Sequence, residues 1–296
     1  MSRFGPVLTA MVTPFNKDGS LNLDGAQKLA KYLVDNGNDG LVIAGTTGES
    51  ATITIEEQVD LVRAVREAVP GVPLVAGAGS NNTASAVKNI KLIQQVDIDA
   101  LLLVTPYYNK PSQAGFLNHF KILSEASDKP IMLYDVPGRT GRAMSPETLF
   151  ELAELENIVA YKDANGDPTL TARLVAGFGD KVEVYSGDND LTLPLLSVGA
   201  VGLVGVATHW AGKEMGEMIA AFMAGDLAKA IEINQKMQSS YDYWSTEDAP
   251  SPLPSKAMMN VLGIDVGDAR APMGPMPAGL EEEAKKVLAG LGRPVN

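Results

Sequence analysis

The run Ile158–Lys162, IVAYK, is apolar or aromatic until it ends in a lysine. An ammonium group at the end of an apolar strand is expensive to bury, and an amine with a pKa of about 10.4 cannot attack a carbonyl near neutral pH. Desolvation lowers that value, which makes Lys162 a candidate nucleophile for Schiff-base chemistry. The competing reading is a rim lysine paired with Asp163 or Asp188, and position alone does not separate the two. Tyr134 ends a second apolar run, where a phenol either relays protons or only packs. Arg139, in PGRTG, is a guanidinium on a Pro-Gly turn, suited to bidentate capture of a carboxylate or simply an exposed loop cation. GTTGES at 45–50 sets Thr46 and Thr47 in a glycine-flanked turn whose N–H groups can face a carboxylate, which taken alone is a weak anion-site signal.

These residues need a frame. Short apolar, β-branched runs recur at Pro6–Val12, Gly40–Ala44, Val72–Ala76, Ala100–Val104, Ile131–Tyr134, Ile158–Lys162, Val182–Ser186 and Gly202–Val206. They begin roughly 20 to 35 residues apart and read as parallel strands covered on both faces. Eight strand–helix units in series predict an α/β fold, a TIM (β/α)8 barrel, whose active site lies at the C-terminal strand ends. The motifs GTTGES, TPYYNKP, YDVPGRTG, YKDANGD and YSGDND all fall there, and the fifth strand's Tyr134 is expected beside Lys162 of the sixth. Between the runs the spacing is helical, as at Leu29, Leu33 and Val34, and Thr54 with Glu56 and Glu57 predicts an N-cap and acidic first turn. Ala211–Ala224 is the expected last barrel helix, followed by helices over Asp226–Ser240, Ser255–Leu262 and Leu280–Leu291. The expected division is a catalytic barrel at 1–224 and a C-terminal helical extension at 225–296.

Composition narrows the chemistry. With 45% hydrophobic and 20% charged residues and a mean hydropathy of +0.02, the chain is of globular type, and no run approaches the roughly 20 apolar residues of a membrane helix. The N-terminal MSRFGPVLTAMVTPF lacks the features of a secretory signal, so the cytoplasm is the expected location. Cysteine is absent, which removes disulfides, thiolate nucleophiles and cysteine-bound zinc. Only His119 and His209 are available to a histidine metal site, so no metal is expected. His119 lies on a predicted helix and is assigned no role; His209, after the eighth run, is expected to pack or to make a supporting hydrogen bond. A formal charge of −12 opposes nucleic acid as a partner. Neither GxGxxG nor GK[ST] is present, no phosphate cup suggests pyridoxal phosphate, and no cofactor is expected.

Taken together, GTTGES at 45–50, TPYYNKP at 105–111, YDVPGRTG at 134–141 and the lysine of YKDANGD at 162 resemble the dihydrodipicolinate synthase and N-acetylneuraminate lyase superfamily, in order and over nearly the whole chain. The resemblance implies an enzyme, a lyase that condenses pyruvate with L-aspartate 4-semialdehyde to 4-hydroxy-tetrahydrodipicolinate on the path to diaminopimelate and lysine. It implies that Lys162 forms the imine and that Tyr134, Thr47 and Tyr108 form a proton relay, Tyr108 reaching a neighbouring subunit of a tight dimer. It further implies that Thr46 and Thr47 hold the pyruvate carboxylate, that Arg139 binds the second substrate's carboxylate, and that Gly187 and Val204 line the imine pocket. A homotetramer built from two tight dimers is the implied assembly. Asp135 and Asp163 depart from the asparagine and glutamate common at these places, and activity is expected to survive both. Ile55, Gln58 and Ser85 stand where feedback-sensitive members carry polar residues, so weak or absent inhibition by L-lysine is expected. The alternatives are a sister aldolase acting on sugar acids or 4-hydroxy-2-oxo acids, and a catalytically silent keto-acid-binding regulator.

Overall fold

In the computed structural model, which describes residues 2–293, each of the eight apolar runs holds a strand, with no end moved by more than two residues. The chain runs β1 (Val7–Ala10), α1 (Leu23–Asp35), β2 (Gly40–Ile43), α2 (Ile55–Ala68), β3 (Leu74–Gly77) and α3 (Thr83–Ile93). It continues through β4 (Ala100–Val104), α4 (Gln113–Glu125), β5 (Ile131–Asp135), the single turn α5 (Pro137–Thr140), α6 (Pro146–Leu152), β6 (Ile158–Asp163) and α7 (Pro168–Phe178). The barrel is completed by β7 (Glu183–Ser186), α8 (Thr192–Ser197), β8 (Gly202–Gly205) and α9 (Thr208–Met223). All neighbours pair in parallel, and β1 pairs with β8 to close the barrel.

Alternation along the strands explains the continuous apolar runs. Leu8, Val42, Val75, Leu102, Met132, Ala160 and Val204 fill the barrel interior, while Leu41, Leu74, Leu101, Leu133, Tyr161 and Leu203 face the helices, so both faces of the sheet are dry. β6 breaks the alternation once. Ile131 pairs with Ile158 but Met132 pairs with Ala160, leaving Val159 as an additional residue. A one-residue insertion reverses the faces of everything beyond it. The bulge thereby points Ala160 and Lys162 inward and Tyr161 and Asp163 outward, with Tyr134 and Lys162 opposite each other across β5 and β6.

The capping signal at Thr54 is realised as a full capping box: Thr54 accepts from the Glu57 N–H, and the Glu57 carboxylate accepts from the Thr54 N–H. Two helix expectations need correction. α9 begins at Thr208, not Ala211, taking His209 and Trp210 into its first turn, with a non-helical kink at Ala211. The stretch expected as one helix over Asp226–Ser240 is two, α10 (Leu227–Lys236) and α11 (Gln238–Tyr243), because at Met237 ψ flattens to −7° and its N–H divides between Ile233 O and Asn234 O. With α12 (Leu253–Val261) and α13 (Leu280–Gly290), four helices rather than three follow the barrel among the described residues. Residues 294–296 of the expected extension and Met1 of the N-terminal stretch lie outside the described residues.

Candidate active site

Lys162 reaches the barrel mouth from inside the wall. Its side chain is buried, at 5% exposure, and among the described residues no carboxylate lies within ion-pairing distance of its Nζ. Nζ stands 4.2 Å from the centroid of the Tyr134 ring. Burial lowers the amine pKa from 10.5 to about 8; the charge of Asp188 pulls it up and that of Arg139 pushes it down. The rim-pair reading fails at Asp163 for a geometric reason. Facing outward, Asp163 accepts from Thr171 Oγ1 at 2.6 Å and from the Asn165 N–H and Nδ2 at 3.0 Å.

Tyr134 is buried, and burial raises its phenol to about 12, so it enters any reaction as a proton donor. Arg139 and the Thr46 side chain both act to lower it. Consecutive turn residues project differently: Thr46 lines the cavity and its side chain acts on the Tyr134 phenol, while Thr47, the expected relay hydroxyl, is 5% exposed and does not line the cavity. Among the described residues, the N–H groups of Thr46 and Thr47 have no acceptor within the chain. The turn is tight. A Cβ at Gly48 would lie 3.1 Å from Ala44 Cα and from Met11 O.

A cavity of about 570 Å³ opens at this end of the barrel, lined by Gly45, Thr46, Tyr134, Val136, Arg139 and Thr140 among others. Arg139 lies on α5, which Pro137 starts and a left-handed Gly141 (φ 84°) ends, so the Pro-Gly turn is one helical turn. Lys162 does not line the cavity wall; it lies against Tyr134, which does. Val204 belongs to the same interior cluster as Tyr134. Gly187 follows β7 and donates to Asp163 O at 2.6 Å, and a Cβ there would sit 2.8 Å from that oxygen. Tyr108 stands apart, 88% exposed on a left-handed backbone (φ 74°). Of the three positions read as a regulator pocket, Ile55 and Gln58 line the cavity and Ser85 does not.

Both histidines are structural. The His209 Nε2 accepts from the Val12 N–H at 3.1 Å, which leaves Nδ1 to donate to Val206 O at 2.7 Å, and burial holds the ring neutral with a pKa of about 4. His119 is buried against Thr83 and Phe120, its pKa also lowered to about 4 by burial. From sequence, Asp188 stands only as a possible partner for Lys162. In the fold, burial raises that carboxylate to about 6, and its field reaches both Lys162 and Tyr134. Glu49 and Lys256 escape sequence reasoning: in GTTGES the threonines draw the attention, and in PLPSKAMM the lysine is a lone charge in an ordinary stretch.

A family model described as the dihydrodipicolinate synthetase family matches residues 3–290. The chain is 44% identical over 290 residues to a 4-hydroxy-tetrahydrodipicolinate synthase of Microcystis aeruginosa, covering 97% of each. It superposes with a TM-score of 0.93 on a dihydrodipicolinate synthase from Bacillus anthracis, at 45% identity over 98% of this chain and 99% of that one. A dihydrodipicolinate synthase from Acinetobacter baumannii, complexed with pyruvate, gives 0.93 at 34% identity over 98% of this chain and 99% of that one. A closed barrel, an unpaired buried lysine beside a tyrosine, and full-length identity at this level lead to one conclusion: the chain belongs to the dihydrodipicolinate synthetase family.

Proposed function

We propose that this chain condenses pyruvate with L-aspartate 4-semialdehyde to 4-hydroxy-tetrahydrodipicolinate through an imine on Lys162. The observation that carries the reading is a buried amine, lowered to about 8 and without a carboxylate partner among the described residues, 4.2 Å from the ring of a protonated tyrosine. With that pKa, about a tenth of Lys162 is free amine at pH 7, against about one part in three thousand for an ordinary lysine.

Pyruvate is held by its carboxylate on the hydroxyls and free N–H groups of Thr46 and Thr47. Lys162 Nζ adds to the keto carbon, Tyr134 protonates the departing oxygen, and water leaves as the imine forms. Loss of a methyl proton gives the enamine, whose carbon attacks the aldehyde of the second substrate, held by its carboxylate on Arg139. The amino group of that substrate then adds to the imine carbon, closes the ring and releases Lys162. Gly187 and Val204 contribute the walls of the imine pocket, Gly187 because no side chain fits there. The lysine is itself the covalent catalyst, so the scheme calls on no cofactor.

Protons shuttle between Tyr134 and Thr46, and Tyr108 of a second subunit completes the relay. The exposure of Tyr108, 88% on a left-handed backbone, supports this, since it leaves the phenol free to reach a neighbouring subunit. The working unit is then at least a tight dimer, with a homotetramer of two such dimers the proposed assembly. No described helix is long and apolar enough to cross a membrane, and a cytoplasmic location is proposed with the reaction. The test is a steady-state assay of pyruvate consumption. Consumption that depends on aspartate semialdehyde supports the reading, whereas release of pyruvate from sugar acids or 4-hydroxy-2-oxo acids, without condensation, contradicts it.

A further inference from the structure

The turn that presents Thr46 and Thr47 is bracketed by two non-glycine residues in the left-handed region, Ala44 (φ 53°) and Glu49 (φ 56°). Side chains with a Cβ adopt that region only when their surroundings hold them there. Within the loop the Glu49 carbonyl accepts from the Thr52 N–H at 2.9 Å and from Thr52 Oγ1 at 3.1 Å, but what holds its side chain comes from beyond the barrel. Its buried carboxylate places Oε1 2.9 Å from Lys256 Nζ on α12, and its Oε2 accepts from the Arg270 N–H at 2.9 Å. Lys256 is completely buried; its Nζ also donates to Asp268 O at 2.9 Å and sits 4.3 Å from the Phe15 ring centroid. The Arg270 guanidinium spans the other end of the same loop, donating to Thr52 O at 2.8 Å and to both oxygens of Glu57 at 2.6 and 2.9 Å. Inside the turn, the Glu49 N–H donates to Thr46 O at 3.0 Å and the Ser50 N–H to Gly45 O at 3.2 Å. One chain of contacts therefore runs from Lys256 through Glu49 to the backbone of Thr46.

We infer that the buried Lys256–Glu49 pair is a positioning device for the reaction: it fixes the Gly45–Ser50 turn in the form that receives the pyruvate carboxylate, which makes the segment after the barrel part of the catalytic unit. The inference rests on the reading that this turn binds pyruvate. A buried ion pair is a poor way to gain stability, since well-packed apolar side chains commonly serve as well. What it supplies is direction. A charged pair tied also to the Arg270 N–H and the Asp268 carbonyl sets one orientation of the Glu49 backbone, and an apolar contact does not. Lys256 is no second nucleophile, because its amine is paired and does not line the cavity.

The test uses the full-length enzyme and reads two quantities: the pyruvate concentration giving half-maximal borohydride trapping on Lys162, and thermal stability. Lys256→Met is expected to raise that concentration about tenfold, as a turn displaced by a fraction of an ångström misplaces both threonines. Glu49→Gln, which keeps the shape and one acceptor, is expected to raise it severalfold. In Lys256→Met/Glu49→Met the unpaired buried charge is gone, so thermal stability recovers while pyruvate half-saturation stays raised. If Lys256→Met does not fold, the other two variants carry the same comparison. Folded variants with wild-type half-saturation, or a double variant that restores both quantities, overturn the inference and leave the reaction assignment standing. Absence of any pyruvate adduct in the wild type overturns both.

Discussion

Two lysines of this chain are almost fully buried, and they are held in opposite ways. Lys256 faces a carboxylate at 2.9 Å, a carbonyl and an aromatic ring; burial lowers its amine pKa, but the charge and hydrogen bond of Glu49 oppose that and favour the charged form. Lys162, also buried, has an aromatic ring and, among the described residues, no carboxylate within pairing distance, so burial acts on it with little compensation. Burial alone thus does not make a lysine reactive; burial without a partner does. Lys256 orders a turn, and Lys162, in the proposed reaction, does the chemistry.

The largest expected effect is on Lys162 itself. Lys162→Ala removes the nucleophile and is expected to lower kcat by about 10⁴-fold or more, measured in the coupled condensation assay. Stability should separate the two lysines in sign. Lys256→Met strands Glu49 and is expected to destabilise the fold by about 3–5 kcal/mol. Lys162→Met instead removes a charge that the fold pays to bury, and is expected to stabilise it at neutral pH by up to about 3 kcal/mol. The unfolded chain keeps the Lys162 proton up to about 10.5 and the folded one only up to about 8, so the penalty is full below pH 8 and fades between 8 and 10.5. Denaturant unfolding at pH 7 and pH 10 checks both signs.

How far this contrast was legible in the sequence varies by residue. Lys162, Tyr134 and Arg139 were legible because each follows an apolar run, and a barrel collects strand ends at one face. The direction of Lys162 was not. Strict alternation from the outward Ile158 turns Lys162 outward, and only the unpaired Val159 reverses it; a bulge is a property of two paired strands and leaves no mark on one. Which of Thr46 and Thr47 opens to the cavity depends in the same way on how a turn projects neighbouring side chains. Lys256 and Glu49 went unread because a contact between residues so far apart in the chain exists only once the barrel closes and α12 packs against it.

Smaller effects sharpen the account of the Lys162 site. Tyr134→Phe keeps the ring beside Nζ and deletes the proton, and is expected to lower kcat by about 10²–10³-fold. The rate of pyruvate imine formation is expected to rise with pH and level off above about 8. Since the Asp188 charge raises the amine pKa, Asp188→Asn should move that limb to lower pH. The smallest effect expected is that of L-lysine. Ile55 stands where feedback-sensitive members carry a polar residue, and its aliphatic side chain offers no hydrogen bond, so half-maximal inhibition at sub-millimolar L-lysine would count against that reading.

The most direct measurement is borohydride reduction in the presence of pyruvate, followed by intact mass and peptide mapping. A single pyruvyl adduct on Lys162, with Lys256 unmodified, is the predicted result; no adduct, or an adduct on another lysine with condensation surviving in Lys162→Ala, would contradict it.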